Sequence, residues 1–283
     1  MRSLYTIILL LLIPLAMTAQ RRIYEKEDSI RIEQALRDIK HAKPTTTGRL
    51  IIEIADKFLG EEYVGGTLEQ GIGEPLVISC TKVDCTTYVE LVIAIAMAAD
   101  ECDVNFETVC RNLERVRYRN GKNEGYTSRL HYISWWIADN AKRGIIEDVT
   151  GSMSRTTKAL DLSFMSNHPG SYPLLADNRY LTDTIARYEA LSQGKEVHYI
   201  PKSELHGIAT NYIKEGDIIA ITTSVEGLDV AHIGFAYYNE DGILCLQHAS
   251  SEKKMVIKDI RPLSNYLDRR KSHTGIMVFR AVF

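Results

Sequence analysis

The residues able to do covalent chemistry in this chain are one cysteine and two histidines. Cys85 stands in Asp84-Cys85-Thr86-Thr87-Tyr88-Val89-Glu90, where a long apolar run of helical character begins. A thiol attacks a carbonyl as its thiolate, and the free N–H groups and dipole of a helix N-terminus stabilise that anion. A lone cysteine is equally at home as a small buried hydrophobe, so a nucleophile needs a base elsewhere in the chain. Of the eight histidines, His232 lies in Ala231-His232-Ile233-Gly234-Phe235 and His248 in Gln247-His248-Ala249-Ser250, two successive segments of strand composition.

The turn between them sets their relation. Asn239-Glu240-Asp241-Gly242 fits a three-residue hairpin, a type I turn with Gly242 in the left-handed position, which puts Asn239 opposite Ile243. Counting back, His248 falls opposite Gly234 and His232 opposite Ser250. The two imidazoles are then diagonal neighbours on one face, about 7 to 8 Å apart at Cα. A loop one residue longer puts them on opposite faces. Gly234 and Ala236 keep that face low, which is expected to let the helix end carrying Cys85 approach it.

These residues need a frame. Apolar spacing predicts helices over 29–40, 47–59, 86–99, 106–118, 129–143 and 182–192, with Asn105 and Ser128 as N-caps and Gly144 as a stop. The helix from 86 is apolar almost all round, which marks it as buried inside a domain, and Glu90 within it reads as an ion-paired structural carboxylate. From Asp217 the pattern turns to strands at 218–223, 230–238, 243–249, 255–257 and 275–282. Helices first and an antiparallel sheet afterwards make an α+β fold. No repeat or linker composition divides the chain, so residues 20–283 read as one domain with 20–46 as a helical extension.

A net charge of -3 over 283 residues, with 25% charged and 45% hydrophobic residues, is ordinary globular composition and argues against a nucleic-acid partner. Arg2, the apolar run 7–15 and Ala16-Met17-Thr18-Ala19 read as a signal peptide cut near Ala19. Nine apolar residues are short for a hydrocarbon layer of roughly 30 Å, so a periplasmic monomer is expected rather than an inserted anchor. Five cysteines leave at least one unpaired. Cys102 and Cys110 could bridge two helix ends, and Cys80 and Cys245 suit buried positions.

Asp84-Cys85 opening a buried helix, Val230-Ala231-His232-Ile233-Gly234 on a strand and a polar residue on the next strand resemble the papain-like core of NlpC-type cell-wall cysteine peptidases. Further stretches narrow the resemblance: Leu59-Gly60-Glu61-Glu62-Tyr63-Val64-Gly65-Gly66-Thr67-Leu68-Glu69, Ser128-Arg129-Leu130-His131-Tyr132, Gly216-Asp217-Ile218-Ile219-Ala220 and Gln247-His248-Ala249-Ser250-Ser251. Over about residues 47 to 283 the chain resembles the N-acetylmuramoyl-L-alanine amidase-like family. The resemblance implies a triad of Cys85, His232 and His248, and scission of the amide between the lactyl group of N-acetylmuramic acid and L-alanine. It implies muropeptides as partners, especially fragments ending in 1,6-anhydro-N-acetylmuramic acid, and Tyr63 as an oxyanion donor beside the Cys85 amide.

Thr86 departs from the serine that commonly follows the nucleophile in that superfamily, which puts recognition of a free stem-peptide amine in doubt. Asp84, Thr86 and Ser250 join the candidate substrate-binding residues, with Arg129 and His131 at the start of the helix expected from 129. His168 and Tyr172 could line a sugar cleft, although surface-loop positions explain them as well. Competing readings are a γ-D-glutamyl-diamino-acid endopeptidase, a non-catalytic envelope-binding protein, and a zinc amidase, for which no suitably spaced ligand set stands out. No metal or other cofactor is expected.

Overall fold

The computed structural model describes residues 21–42, 44–69, 73–205 and 212–283; the expected signal peptide lies outside them. Among the described residues no helix is long and apolar enough to cross a membrane. Helix α1 spans Lys26–Ala42, α2 Thr47–Asp56, α3 Cys85–Asp100, α4 Phe106–Arg117 and α5 Ile133–Lys142. Helix α3 is buried from Thr87 to Ala98, as its all-round apolar sequence requires, and packs against α1, α2, α4 and the sheet. Ile32, Leu36 and Ile39 of α1 belong to the same core. Glu90 forms a 2.6 Å ion pair with Arg117 of α4, both side chains nearly inaccessible.

The main sheet runs in the order Lys82–Val83, Glu62–Tyr63, Met255–Lys258, Leu244–Ser250, Val230–Tyr238, Ile218–Thr223, His273–Ala281 and Ile146–Asp148, with Ile200–Pro201 also paired to His273–Ala281. Its pairings are antiparallel except for the short parallel contact between the first two strands. One face meets α3, where Phe235 packs edge-on against Tyr88 with centroids 5.7 Å apart. On the opposite face Ala236, Leu246, Ile219, Ile221, Ile276 and Val278 pack under Leu263 and Leu267, which belong to the helix Leu263–Asp268.

Two local expectations change. The helix expected from 129 begins at Ile133, and its N-cap residue Tyr132 has no capping side chain. Its first turn is capped from a distance instead: Asp229, at the start of the His232 strand, accepts the Ser134 amide at 2.6 Å. Ser128 closes a short 3-10 turn, its hydroxyl accepting the Glu124 amide. Cys102 and Cys110 are both free thiols, one exposed and one buried, so no disulfide joins those helix ends. Cys80 and Cys245 are buried.

Residues 157–198, between the sheet strands Ile146–Asp148 and Ile200–Pro201, add a layer beside α5, where Trp135 meets the Tyr188 ring edge-on and bonds the Ser192 hydroxyl. Leu160, Leu162, Met165, Leu175 and Ile185 enter the main core. The Tyr132 hydroxyl donates to Glu189 at 2.6 Å and accepts the Met165 amide at 2.9 Å, fastening the layer to the chain before α5.

Candidate active site

Asp84 caps helix α3. Its Oδ1 accepts the amides of Thr86 and Thr87 at 3.1 and 2.8 Å, and the Thr87 hydroxyl returns a bond by accepting the Asp84 amide. The Tyr88 amide goes to the Asp84 carbonyl. Cys85 is therefore the first helical residue, and its own amide faces its sulfur. This capping duty occupies the Asp84 carboxylate, which had been grouped with the substrate-binding residues.

The base side of the site comes from the hairpin. Its ladder runs from Tyr238↔Leu244 to Phe235↔Gln247, and the Asn239 amide bonds the Ile243 carbonyl at 3.0 Å with Gly242 at φ +72°. That is the register expected from the turn. His232 Nε2 lies 2.6 Å from His248 Nδ1, the rings perpendicular with centroids 4.7 Å apart. Tyr266 of the helix Leu263–Asp268 stands 5.3 Å from the His248 ring and 6.2 Å from the His232 ring.

The low surface at Gly234 serves a purpose different from the one expected. Helix α3 packs on the other face of the sheet, the face of Ile233 and Phe235. A Cβ on Gly234 would fall 2.9 Å from His248 Cβ and 2.7 Å from the Gln247 carbonyl oxygen. The glycine makes room for His248 rather than for the helix. The thiol meets the histidine strand by another route: continuing the register would pair Ile233 with Ala249, but the ladder ends two pairs earlier, at Phe235↔Gln247, and the Ile233 N–H acts on the Cys85 thiol. Cys85 thus approaches the site where the two histidine strands part, beside the residue after His232.

Electrostatically the pair is neutral. Burial, then Asp84, push the Cys85 thiol up to about 12, against the opposing effect of the Ile233 amide and the Thr86 hydroxyl. Burial, with His248, His273 and Arg270, holds His232 well below the ordinary histidine range. The helix N-terminus alone does not outweigh that burial, and the thiol is held in its neutral form. Tyr63 is half-buried beside this pair, its phenol pushed up to about 12 by burial and then by Cys85 and Asp84.

The other candidates separate. Ser250 is buried and its hydroxyl accepts the Lys253 amide, a turn contact. Arg129 is buried, paired to Glu69 at 2.6 Å and Glu74 at 3.2 Å, and lies over the Tyr126 ring. His131 packs tilted against the Tyr126 ring, centroids 4.4 Å apart, and its Nε2 bonds the Tyr126 carbonyl at 2.8 Å; burial and Arg129 hold it well below its ordinary range. His168 is exposed and bonds Phe164 of its own turn, whereas Tyr172 is half-buried and feels the Glu69 carboxylate. Among the described residues no group of three His, Cys, Asp or Glu side chains is placed to hold a metal ion.

Sequence reasoning missed Asp259, Tyr266 and His273. Asp259 Oδ2 lies 3.8 Å from His248 Nε2, and Tyr266 bridges the histidine pair to His273, its ring stacked 6.0 Å from the latter. Extending the hairpin register across the next turn would have found Asp259, since Ser250 pairs with Met255 and His248 with Ile257.

A family model described as N-acetylmuramoyl-L-alanine amidase-like matches residues 53–276. An N-acetylmuramoyl-L-alanine amidase from Bacteroides uniformis is 43% identical, with a TM-score of 0.80 over 84% of this chain and 99% of that one. A Bacteroides fragilis structure described provisionally as a xylanase is 46% identical, with a TM-score of 0.76 over 80% and 99% of the two chains. A Legionella pneumophila protein shares the fold at 24% identity, with a TM-score of 0.66 over 90% and 97%. No curated protein matches.

Proposed function

This chain belongs to the N-acetylmuramoyl-L-alanine amidase-like family, and from that membership we propose that it is an exported, cysteine-dependent amidase with a papain-like core of the NlpC type. It cleaves the bond between the lactyl carbonyl of N-acetylmuramic acid and L-alanine in peptidoglycan fragments. One observation supports the cysteine chemistry best: the Cys85 thiol feels the backbone N–H of Ile233, the residue after His232, and the His232 ring is gripped by His248 at 2.6 Å. That contact uses Nε2 of His232 and leaves Nδ1 for the thiol.

In this reading Nδ1 takes the thiol proton as sulfur attacks the lactyl carbonyl. The carbonyl electron pair moves to oxygen, where the Cys85 amide and the Tyr63 hydroxyl donate to it. Collapse breaks the C–N bond as His232 returns the proton to the departing alanine amine, and a water activated by the same imidazole hydrolyses the thioester. Both carboxylates nearest this centre are engaged, Asp84 as a helix cap and Asp259 by Arg261. They make a poor acid and base pair for glycoside cleavage, which uses two free carboxyl groups across a sugar.

The pH profile follows from the neutral pair. His232 is competent while deprotonated, and its protonation point is depressed, so kcat/KM should hold as pH falls through 6.5 and drop only at more acidic values. The alkaline side should stay flat well beyond pH 9, because burial pushes the thiol up to about 12. An acidic limb centred at or above the unperturbed value of about 6.5 would contradict the desolvated base.

For the substrate, the packed layer over residues 157–198 supports a walled cleft over an open groove. Its Tyr172 stands near Glu69, and its Met165 and Glu189 are tied to Tyr132. Walled pockets suit chain ends and fragments. Anhydro-disaccharide tetrapeptide should therefore be cut at least about tenfold faster than reduced muropeptides or intact sacculi, a difference of about 1.4 kcal/mol in transition-state binding. Mass spectrometry of the digests should find free disaccharide and intact stem peptide. Release of L-Ala-D-Glu would instead identify the γ-D-glutamyl endopeptidase, and equal rates on sacculi would remove the case for a fragment specialist.

A further inference from the structure

We infer that Asp259 is a positioning residue that sets the tautomer of His248 and, through it, the tautomer of His232. The inference rests on the reading of Cys85 and His232 as nucleophile and base. Asp259 continues the strand Met255–Lys258, its amide bonding the Leu246 carbonyl at 2.9 Å. With His248 paired to Ile257, Asp259 is the diagonal neighbour of His248 on the same sheet face.

Arg261 fixes the carboxylate, its Nε donating to Oδ1 at 2.8 Å and a second nitrogen donating to Oδ2. Oδ2 also faces His248 Nε2 at 3.8 Å, both side chains buried, and Nε2 has no hydrogen-bond partner among the described residues. Burial pushes the Asp259 carboxyl up, but Arg261 and the His248 ring together hold it well below the usual carboxylate range, so it is ionised.

A neutral imidazole carries one N–H. A lone pair on Nε2 would face a buried negative oxygen, so the proton of His248 sits on Nε2 and its Nδ1 accepts. Across the 2.6 Å contact, His232 must then donate from Nε2, which leaves the lone pair on Nδ1. That is the form of His232 able to take a thiol proton. The opposite tautomer would present N–H to the sulfur and could not act as base.

Asp259→Asn should reverse the chain. Its amide oxygen stays with Arg261, so its NH2 turns to His248 Nε2, moves that ring's proton to Nδ1 and forces His232 to carry its proton on Nδ1. Nitrogen-15 spectra of the ring nitrogens in the folded full chain at neutral pH should find His232 protonated at Nε2 in the wild type and at Nδ1 in Asp259→Asn. With anhydro-disaccharide tetrapeptide, kcat should fall on the order of 10- to 100-fold with KM within twofold, the usual cost of an outer partner that orients a functional imidazole. Asp259→Glu keeps the carboxylate and should restore the wild-type tautomer and most of kcat. An unchanged His232 tautomer in Asp259→Asn overturns the inference, as does an unchanged kcat. If the wild type cut no muropeptide, the amidase reading would fall while the ring spectra still decided the tautomer.

Discussion

Cys85→Ala should lower turnover of anhydro-disaccharide tetrapeptide by about 10^5-fold or more, as loss of a nucleophile does in hydrolases that work through a covalent intermediate. His232→Ala should cost nearly as much. The double substitution should cost little beyond either alone, because nucleophile and base act as one unit. His248→Ala should lose less, since the base remains and only its orientation is relaxed. EDTA should leave the wild-type rate unchanged. Each rate is read as liberated stem peptide by mass spectrometry. Chelator-sensitive turnover that survived Cys85→Ala would replace the thiol mechanism with a metal-dependent one.

The second large effect concerns stability. Glu90 and Arg117 meet at 2.6 Å with both side chains almost fully buried, and Arg117 also donates to the Val77 carbonyl at 2.7 Å. Removing one partner strands the other charge, so Glu90→Ala should destabilise the protein by about 3–5 kcal/mol. For a chain of this size that lowers Tm by about 6–20 °C. Replacing both residues with apolar ones of similar shape should recover much of the loss, as buried pairs often add little net stability over a hydrophobic substitute. Thermal unfolding followed by circular dichroism measures both, and a Glu90→Ala shift under 2 °C would mean that water reaches the pair.

Where local chemistry decided the structure, the sequence was legible. Asn239 and Gly242 dictate the hairpin, and the hairpin dictates the histidine contact. Asp84 and Thr87 fix where α3 starts, and an apolar circumference fixes how deeply it is buried. The sheet face that receives α3 was misread because the central strands are apolar on both sides. Ile218–Thr223 and Leu244–Ser250 are buried at every residue, so alternation carries no information about which side meets the helix. The start of α5 was missed because Asp229, which caps it, lies far along the chain. Arg129 looked like a substrate-binding residue because Glu69 and Glu74, which neutralise it, come from a separate loop. Asp259 escaped because a lone carboxylate after a short strand has no pattern, and its meaning comes from the next strand.

The burial of the Cys85 thiol beside Asp84 also bears on how this protein survives oxidants. Oxidation and unwanted disulfide exchange both proceed through thiolate, so susceptibility follows thiolate character and exposure. The folded chain keeps Cys85 protonated and half-sheltered, while Cys102 is the exposed free thiol among the described residues. Peroxide and small disulfides should therefore mark Cys102 first. On the proposed mechanism Cys85 then stays latent in air, becoming reactive only when a bound carbonyl gives its proton a reason to cross to His232.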